Sequence, residues 1–308
     1  MIELIFKIGF PIVLIILIII IIISSRSNKK PDQEFMSCDD FIKDWLKDHG
    51  QAHKLEEQFT QMKKDPAGLL YMPMTYKGAK FFIKLGLTPN KVSFINLILS
   101  FFIFYSVIMV GEGHTLELFE EQPFYGAWFF AIALLVIFTG IIDGIDGAIA
   151  RLLDIKSKSG AWLDNVIDRV SDTLMLVCLI PTSLSIFINY DFKWIIWTNI
   201  FLIFIYEYMR ARHEGLGMHE TKPFIGERIT RILVLASFFV VYGVSSLTVL
   251  ITYLIDSSAT SIWTASHTGV IIWSMFICQI SLLGIMIYSV IGFGKYIWTN
   301  LKKMDKEM

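Results

Sequence analysis

Cysteine is scarce and scattered. Cys38, Cys178 and Cys278 are the only three among 308 residues, too few and too far apart for a disulfide framework. The six histidines show no ligand spacing, so a Cys/His zinc site is excluded as well. Charge is equally thin: Asp, Glu, Lys and Arg make up 18% of the chain, against about 25% in soluble proteins. The net charge of −1 gives no reason to expect a nucleic-acid partner. What fills the chain instead is apolar, 55% of it, with 25 phenylalanines. Those residues fall in blocks of roughly twenty, the length that crosses a bilayer as a helix. An ordinary soluble domain is excluded, and the chain is predicted to be an all-α, polytopic membrane protein.

The first block, Ile8 to Ile23, carries no charged residue, and Leu4–Phe6 extend it past Lys7. Ser24-Ser25-Arg26-Ser27 offers no small-residue cleavage pattern, so residues 1–25 read as a retained transmembrane anchor rather than a removed leader. Arg26, Lys29 and Lys30 follow this block, which makes residues 26–75 a cytoplasmic helical segment. Two short helices are expected there. Phe41, Ile42, Trp45 and Leu46 line one face of the first, with Asp39 or Asp40 as its cap, and Leu55, Phe59 and Met62 mark the second, which stops at Asp65-Pro66. With so little core of their own, they should pack on the membrane domain or on a partner. From Tyr76 to Leu85, Lys77, Lys80 and Lys84 share one helical face and Phe81, Phe82 and Leu85 the other, the pattern of a helix lying on an anionic leaflet.

Six further spans are predicted within residues 76–300: Val92–Val110, Gly126–Leu153, Trp162–Ile188, Trp194–Met209, Ile232–Ile255 and Gly269–Trp298. Residues 301–308 form a tail. Connections 112–124, 189–193 and 256–267 hold only Lys193, whereas the alternate connections hold Lys156, Lys158, Arg210, Arg212, Lys222, Arg228 and Arg231. This alternation predicts seven spans with the N-terminus outside and the C-terminus in the cytoplasm.

Acidic residues interrupt the second and third core spans. Asp143 and Asp146, at i and i+3, share a helix face, and so do Asp164 and Asp168, at i and i+4. The short connection Lys156-Ser157-Lys158-Ser159-Gly160 makes the two helices antiparallel neighbours, so the four carboxylates can meet near the inner membrane face. Like charges crowded beside hydrocarbon are costly, and Arg151 can offset only one. Two hard cations, Mg²⁺ or Mn²⁺, match an all-oxygen cage. Gly140, Gly144 and Ala148 form a small-residue stripe that admits another helix or a bulky ligand. A divalent-cation transporter could place carboxylates in this way too, but the outer halves of the spans offer it no polar route.

The run Asp143-x2-Asp146-Gly147-x2-Ala150-Arg151-x8-Gly160-x3-Asp164-x3-Asp168 resembles the signature of the CDP-alcohol phosphotransferase family. The likeness of layout covers residues 76 to 298, a six-helix core to which the N-terminal span is extra. It implies a phospholipid-biosynthesis enzyme, usually homodimeric, that transfers a phosphatidyl-type group from a CDP-lipid donor to a polar alcohol acceptor and releases CMP. By that resemblance Asp143, Asp146 and Asp164 bind metal, while Asp168 adjoins the second metal and serves as base. Gly147, Arg151 and Gly160 would line the nucleotide site, near the segment that holds Thr88 and Pro89.

Arg210-Ala211-Arg212-His213-Glu214, followed by Glu227-Arg228-x-x-Arg231, resembles the phosphatidylinositol-phosphate and archaetidylinositol-phosphate synthase branch. Arg210 and His213 depart from its pattern. So many arginines either obey the positive-inside rule or clamp an anionic acceptor through paired donors. The second reading assigns Arg210, Arg228 and Arg231 to an acceptor phosphate. It suits inositol phosphate or glycerol 3-phosphate better than serine, and the donor lipid, diacyl or archaeol, leaves no trace in the sequence.

Overall fold

A computed structural model describes residues 8–25, 34–48, 51, 54–65, 67–111, 127–180, 186–187, 190–217, 224–256, 258 and 260–307. Among these residues there are ten α-helices: α1 (Phe10–Ser25), α2 (Cys38–Asp48), α3 (Leu55–Met62), α4 (Met72–Lys84), α5 (Pro89–Gly111), α6 (Trp128–Leu152), α7 (Lys158–Val177), α8 (Lys193–Gly215), α9 (Arg228–Ile255) and α10 (Thr260–Glu307). One π-helical turn, Ala67–Tyr71, leads into α4, and β1 (Ile186–Phe187) pairs antiparallel with β2 (Tyr190–Asp191). The predicted outer connection 112–124 lies outside the described residues.

The protein is an integral membrane protein built of helices. The sequence predicts six core spans, and among the described residues four segments are long and apolar enough to cross a bilayer: Pro89–Met109, Trp128–Leu152, Arg228–Ile255 and Ile272–Lys306. Within the described residues α7 and α8, of the predicted third and fourth spans, do not reach that standard, and residues 181–185 and 188 of the third span lie outside the described residues. Asp164, Asp168, Arg169 and Asp172 interrupt α7, and Asn199, Glu207 and Arg210 dilute α8. The apolar helix α1 is 16 residues long. Several boundaries differ from expectation: α5 begins at Pro89, α8 runs on to Gly215 and α9 begins at Arg228. Helix α7 begins at Lys158 because the Ser157 hydroxyl accepts from Gly160 N at 3.0 Å, a side-chain N-cap. Helix α10 begins at Thr260 and absorbs the predicted tail, 48 residues without a break. In α2 the cap is Ser37 rather than Asp39 or Asp40: its hydroxyl accepts from Asp40 N at 3.1 Å and donates to Asp40 Oδ2 at 2.6 Å, a side-chain N-cap.

Helix α6 lies at the centre, packed against α4, α5 and α9. Phe129 stacks on Phe239 and Tyr242 with ring centroids 5.2 and 4.2 Å apart. Beside them Gly243 brings α9 against the α6 backbone, so close that a β-carbon there would stand 2.4 Å from Phe130 N. Between α8 and α10, Asn199 Nδ2 donates to the Gln279 carbonyl and to Gln279 Oε1 at 3.1 and 2.9 Å. A second core joins helices α2 and α3 to the membrane helices. There Phe41, Ile42, Leu46 and Phe59 of α2 and α3 pack with Met72, Ala79 and Ile83 of α4 and with Ile145, Ile149 and Leu152 of α6. Helix α4 buries Met72, Thr75, Ala79 and Ile83 and leaves Phe81 exposed. Of its lysines, Lys80 is drawn over the Phe35 and Tyr76 rings, 5.3 Å from each centroid.

Candidate active site

The glycine stripe of α6 is filled by protein. Gly140 faces Ile232 of α9, and a β-carbon at Gly144 would stand 2.2 Å from the Tyr71 hydroxyl and 2.9 Å from Thr75 Cγ2. Gripped on both sides, the last turns of α6 present Asp143 and Asp146 to α7. From α7 come Asp164 and Asp168, and carboxylate oxygens of Asp143, Asp164 and Asp168 lie within 4.8 Å of one another. Asp146 is buried, 4% exposed. It accepts from the Ser93 hydroxyl of α5 and from Gly147 N at 2.6 Å, so protein donors already engage it.

Arginines surround this cluster. Arg228, in the first turn of α9, contacts Asp143 and Asp168 through Nη1 and donates from Nε to Asp172 Oδ1 at 3.1 Å. Arg231 donates to Asp172 Oδ2 at 2.6 Å, Glu207 Oε1 at 3.1 Å and the Gly226 carbonyl at 2.7 Å. Arg210 pairs with Glu227 and approaches Glu207 to 3.7 Å, and Arg169 pairs with Glu207 at 2.7 Å. The arginines expected to clamp an acceptor phosphate are thus continuous with the aspartates, and Arg228 sits among them. Each of the three keeps one buried guanidinium nitrogen without a hydrogen-bond partner among the described residues: Arg210 Nε, Arg228 Nη2 and Arg231 Nε.

Sequence reasoning missed several members of this network. Asp172 continues the i, i+4 series of Asp164 and Asp168 and was legible in it. Glu207 breaks an apolar run and could have been noticed. Ser93 and Tyr71 carried no signal, because only the tertiary packing brings them here. Burial, and Asp143 after it, raise the pKa of the Tyr71 hydroxyl, so it keeps its proton at physiological pH.

The residues assigned to the nucleotide lie around the α6–α7 turn. A β-carbon at Gly147 would meet only Arg151 Nη1, at 3.1 Å, and one at Gly160 would meet Ser157 Oγ at 2.9 Å and Asn90 Oδ1 at 3.5 Å. Asn90 follows Thr88 and Pro89, which open α5 with the Thr88 carbonyl accepting from Val92 N at 3.2 Å. Arg151 is not spent on the four aspartates. Its Nε donates to Asp48 Oδ2 of α2 at 3.0 Å, and Lys156 reaches Asp44 and Asp48 at 2.8 and 2.9 Å. Burial raises the Asp48 pKa, but the Lys156 hydrogen bond and the neighbouring Arg151 outweigh it and hold the carboxyl below its ordinary value.

The donor set fits a hard divalent cation. All three converging ligands are carboxylate oxygens from two rigid helices, the chemistry that Mg²⁺ and Mn²⁺ prefer. Charge balance points the same way: the carboxylates of Asp143, Asp146, Asp164, Asp168, Asp172, Glu207 and Glu227 outnumber the guanidiniums of Arg169, Arg210, Arg228 and Arg231.

Comparison with known proteins agrees with this chemistry. A family model described as CDP-alcohol phosphatidyltransferase matches residues 86–293. An uncharacterized protein of Aquifex aeolicus is 30% identical over 148 residues, 45% of this chain and 62% of its own length. The archaetidylinositol phosphate synthase of Pyrococcus horikoshii is 26% identical over 162 residues, 52% of this chain and 74% of its own. A CDP-diacylglycerol–serine O-phosphatidyltransferase of Mycobacterium tuberculosis is 30% identical over 122 residues, 38% of either chain. The match thus spans less than two thirds of the first and third of these relatives. Among solved structures, the crystal structure of Mycobacterium tuberculosis phosphatidylinositol phosphate synthase with CDP-DAG bound aligns with a TM-score of 0.49 at 19% identity, covering 73% of this chain and 94% of that one.

Proposed function

We propose that this chain, which belongs to the CDP-alcohol phosphatidyltransferase family, moves a diacyl or archaeol phosphatidyl group from a CDP-lipid to the hydroxyl of a phosphorylated alcohol such as inositol phosphate. The observation that carries this reading is the meeting of Asp143, Asp164 and Asp168, within 4.8 Å, where two helices turn back on each other. The acceptor oxygen attacks the lipid-bearing phosphorus, the bond from that phosphorus to the CMP oxygen breaks, and CMP leaves with the electron pair. Asp168 takes the hydroxyl proton. Asp143, Asp146, Asp164 and Asp168 would hold Mg²⁺ or Mn²⁺, which when bound offsets negative charge on the diphosphate. Arg228 ties α9 to both carboxylate helices and fixes their separation. Gly147, Arg151 and Gly160, with Thr88 and Pro89 nearby, receive the nucleotide.

The unpartnered nitrogens of Arg210, Arg228 and Arg231 support an acceptor that carries phosphate, because buried N–H donors left unmatched are costly and a phosphate oxygen would satisfy them. Serine or free inositol would leave them bare. In this reading α7 and α8 cross the bilayer with the four longer helices, the site faces the cytoplasm, and the enzyme works as a homodimer.

The test offers the purified protein a CDP-lipid with inositol phosphate, glycerol 3-phosphate, serine or inositol in parallel, and follows CMP. Release that requires Mg²⁺ or Mn²⁺ and is at least about tenfold faster with a phosphorylated acceptor is expected. Preference for serine would overturn the arginine assignment, and divalent-cation flux without CMP release would overturn the transferase itself.

A further inference from the structure

We infer that Asp48, on α2 and outside the family-matched residues, is a positioning residue for Arg151, so that the cytoplasmic segment completes the nucleotide subsite; this rests on the transferase reading above. The contact is one-sided. Asp48 Oδ2 takes only the Nε edge of the guanidinium, at 3.0 Å, while Nη1 stands over Gly147, 3.1 Å from where a β-carbon would be. The two terminal nitrogens, the prongs that grip a phosphate, are therefore left for a ligand beside Asp146. A carboxylate that competed with the nucleotide would take those prongs instead.

The helix that presents Asp48 is itself held in place. Phe41, Ile42 and Leu46 of α2 are 1–3% exposed, and Tyr76 of α4 donates its hydroxyl proton to the Met36 carbonyl at 2.7 Å. On the same face as Asp48, one turn earlier, Asp44 joins it on Lys156, so α2 grips both the end of α6 and the turn that leads to Gly160. A free arginine side chain samples many rotamers, and holding its planar fork ready lowers the entropy lost when a phosphate binds.

The experiment measures steady-state kinetics of the full chain in detergent, with CDP-lipid and acceptor varied separately. Asp48→Ala is expected to raise KM for CDP-lipid about tenfold with kcat changed less than about twofold, as for lost binding rather than lost chemistry. KM for the acceptor should not move. Asp48→Glu should recover most of the loss, and Asp48→Ala placed on Arg151→Ala should add little, since the two act as one unit. An unchanged KM for CDP-lipid, an equal effect on both substrates, or additive effects in the double variant would each overturn the inference. Should Asp48→Ala fail to fold, Asp48→Asn, which keeps the shape, decides by the same readout. A wild-type chain that turns over no CDP-lipid would instead sink the transferase reading, and this inference with it.

Discussion

Asp168 lies 8% exposed between Arg228 and the other carboxylates, and the proposed function makes it both metal ligand and base. Asp168→Asn keeps the size and removes the proposed base. CMP release should fall by about 10³-fold with the melting temperature little changed, and an active Asn variant would remove Asp168 from the chemistry. Arg231 has a different task. It helps compensate Asp172 and Glu207 from a site 6% exposed, so Arg231→Ala removes one of the arginines from two buried carboxylates that Arg228 and Arg169 still contact and should cost about 1–3 kcal/mol of stability, read from thermal unfolding in detergent. The sequence revealed the aspartates because helical spacing is local and four acids in an apolar run are conspicuous. It did not reveal that Arg228 lies among them, since Asp143 is 85 residues away in the chain and no local pattern encodes which helix closes on which. Arginines written into a basic connection obey the positive-inside rule and can still serve a buried network. Only packing separates the two uses.

Glycine shows most clearly how the helices are matched to one another. Gly243 and Gly284 both lie in long apolar helices, yet a β-carbon at the first would strike the backbone of Phe130 at 2.4 and 2.7 Å, whereas the second has nothing within 4 Å. Gly243→Ala must push α9 off α6 and should cost about 1–3 kcal/mol. Gly284→Ala meets no obstacle and gains helix propensity of up to about 1 kcal/mol. Melting curves of the two variants should therefore shift in opposite directions. Helix ends were the least legible elements. The start of α7 was read four residues late because Ser157 caps it from within what looked like loop, and the start of α10 nine residues late because Thr260-Ser261-Ile262 looks like a connection until the helix forms. The π turn before α4 had no sequence signal; its last residue, Tyr71, fits the gap at Gly144.

At the scale of the whole molecule, a small helical pair shares the second core with one end of a membrane bundle. The seam between them is ionic on one side, which sets its pH limits. The Asp48 carboxyl is held below its ordinary 3.8, so its contribution is complete above that value and is lost as pH falls through the lower, folded one. For Lys156, burial lowers the pKa but Asp44 and Asp48 more than restore it, so it lies above its ordinary 10.5 and its contribution is lost only as pH rises past that range. The melting temperature of the wild type should therefore exceed that of Asp48→Asn by a constant margin from about pH 5 to 9. The margin should close below 3.8; one that closed near neutrality would contradict the assignment. The seam also bears on synthesis. Asp48 precedes Arg151 by 103 positions, so on the ribosome the acidic helix is made well before its basic partner, and in the interval α5 and α6 must enter the lipid. The covering pair waits in water through that time, and the proposed nucleotide subsite is assembled late, by the return of a segment that was translated early.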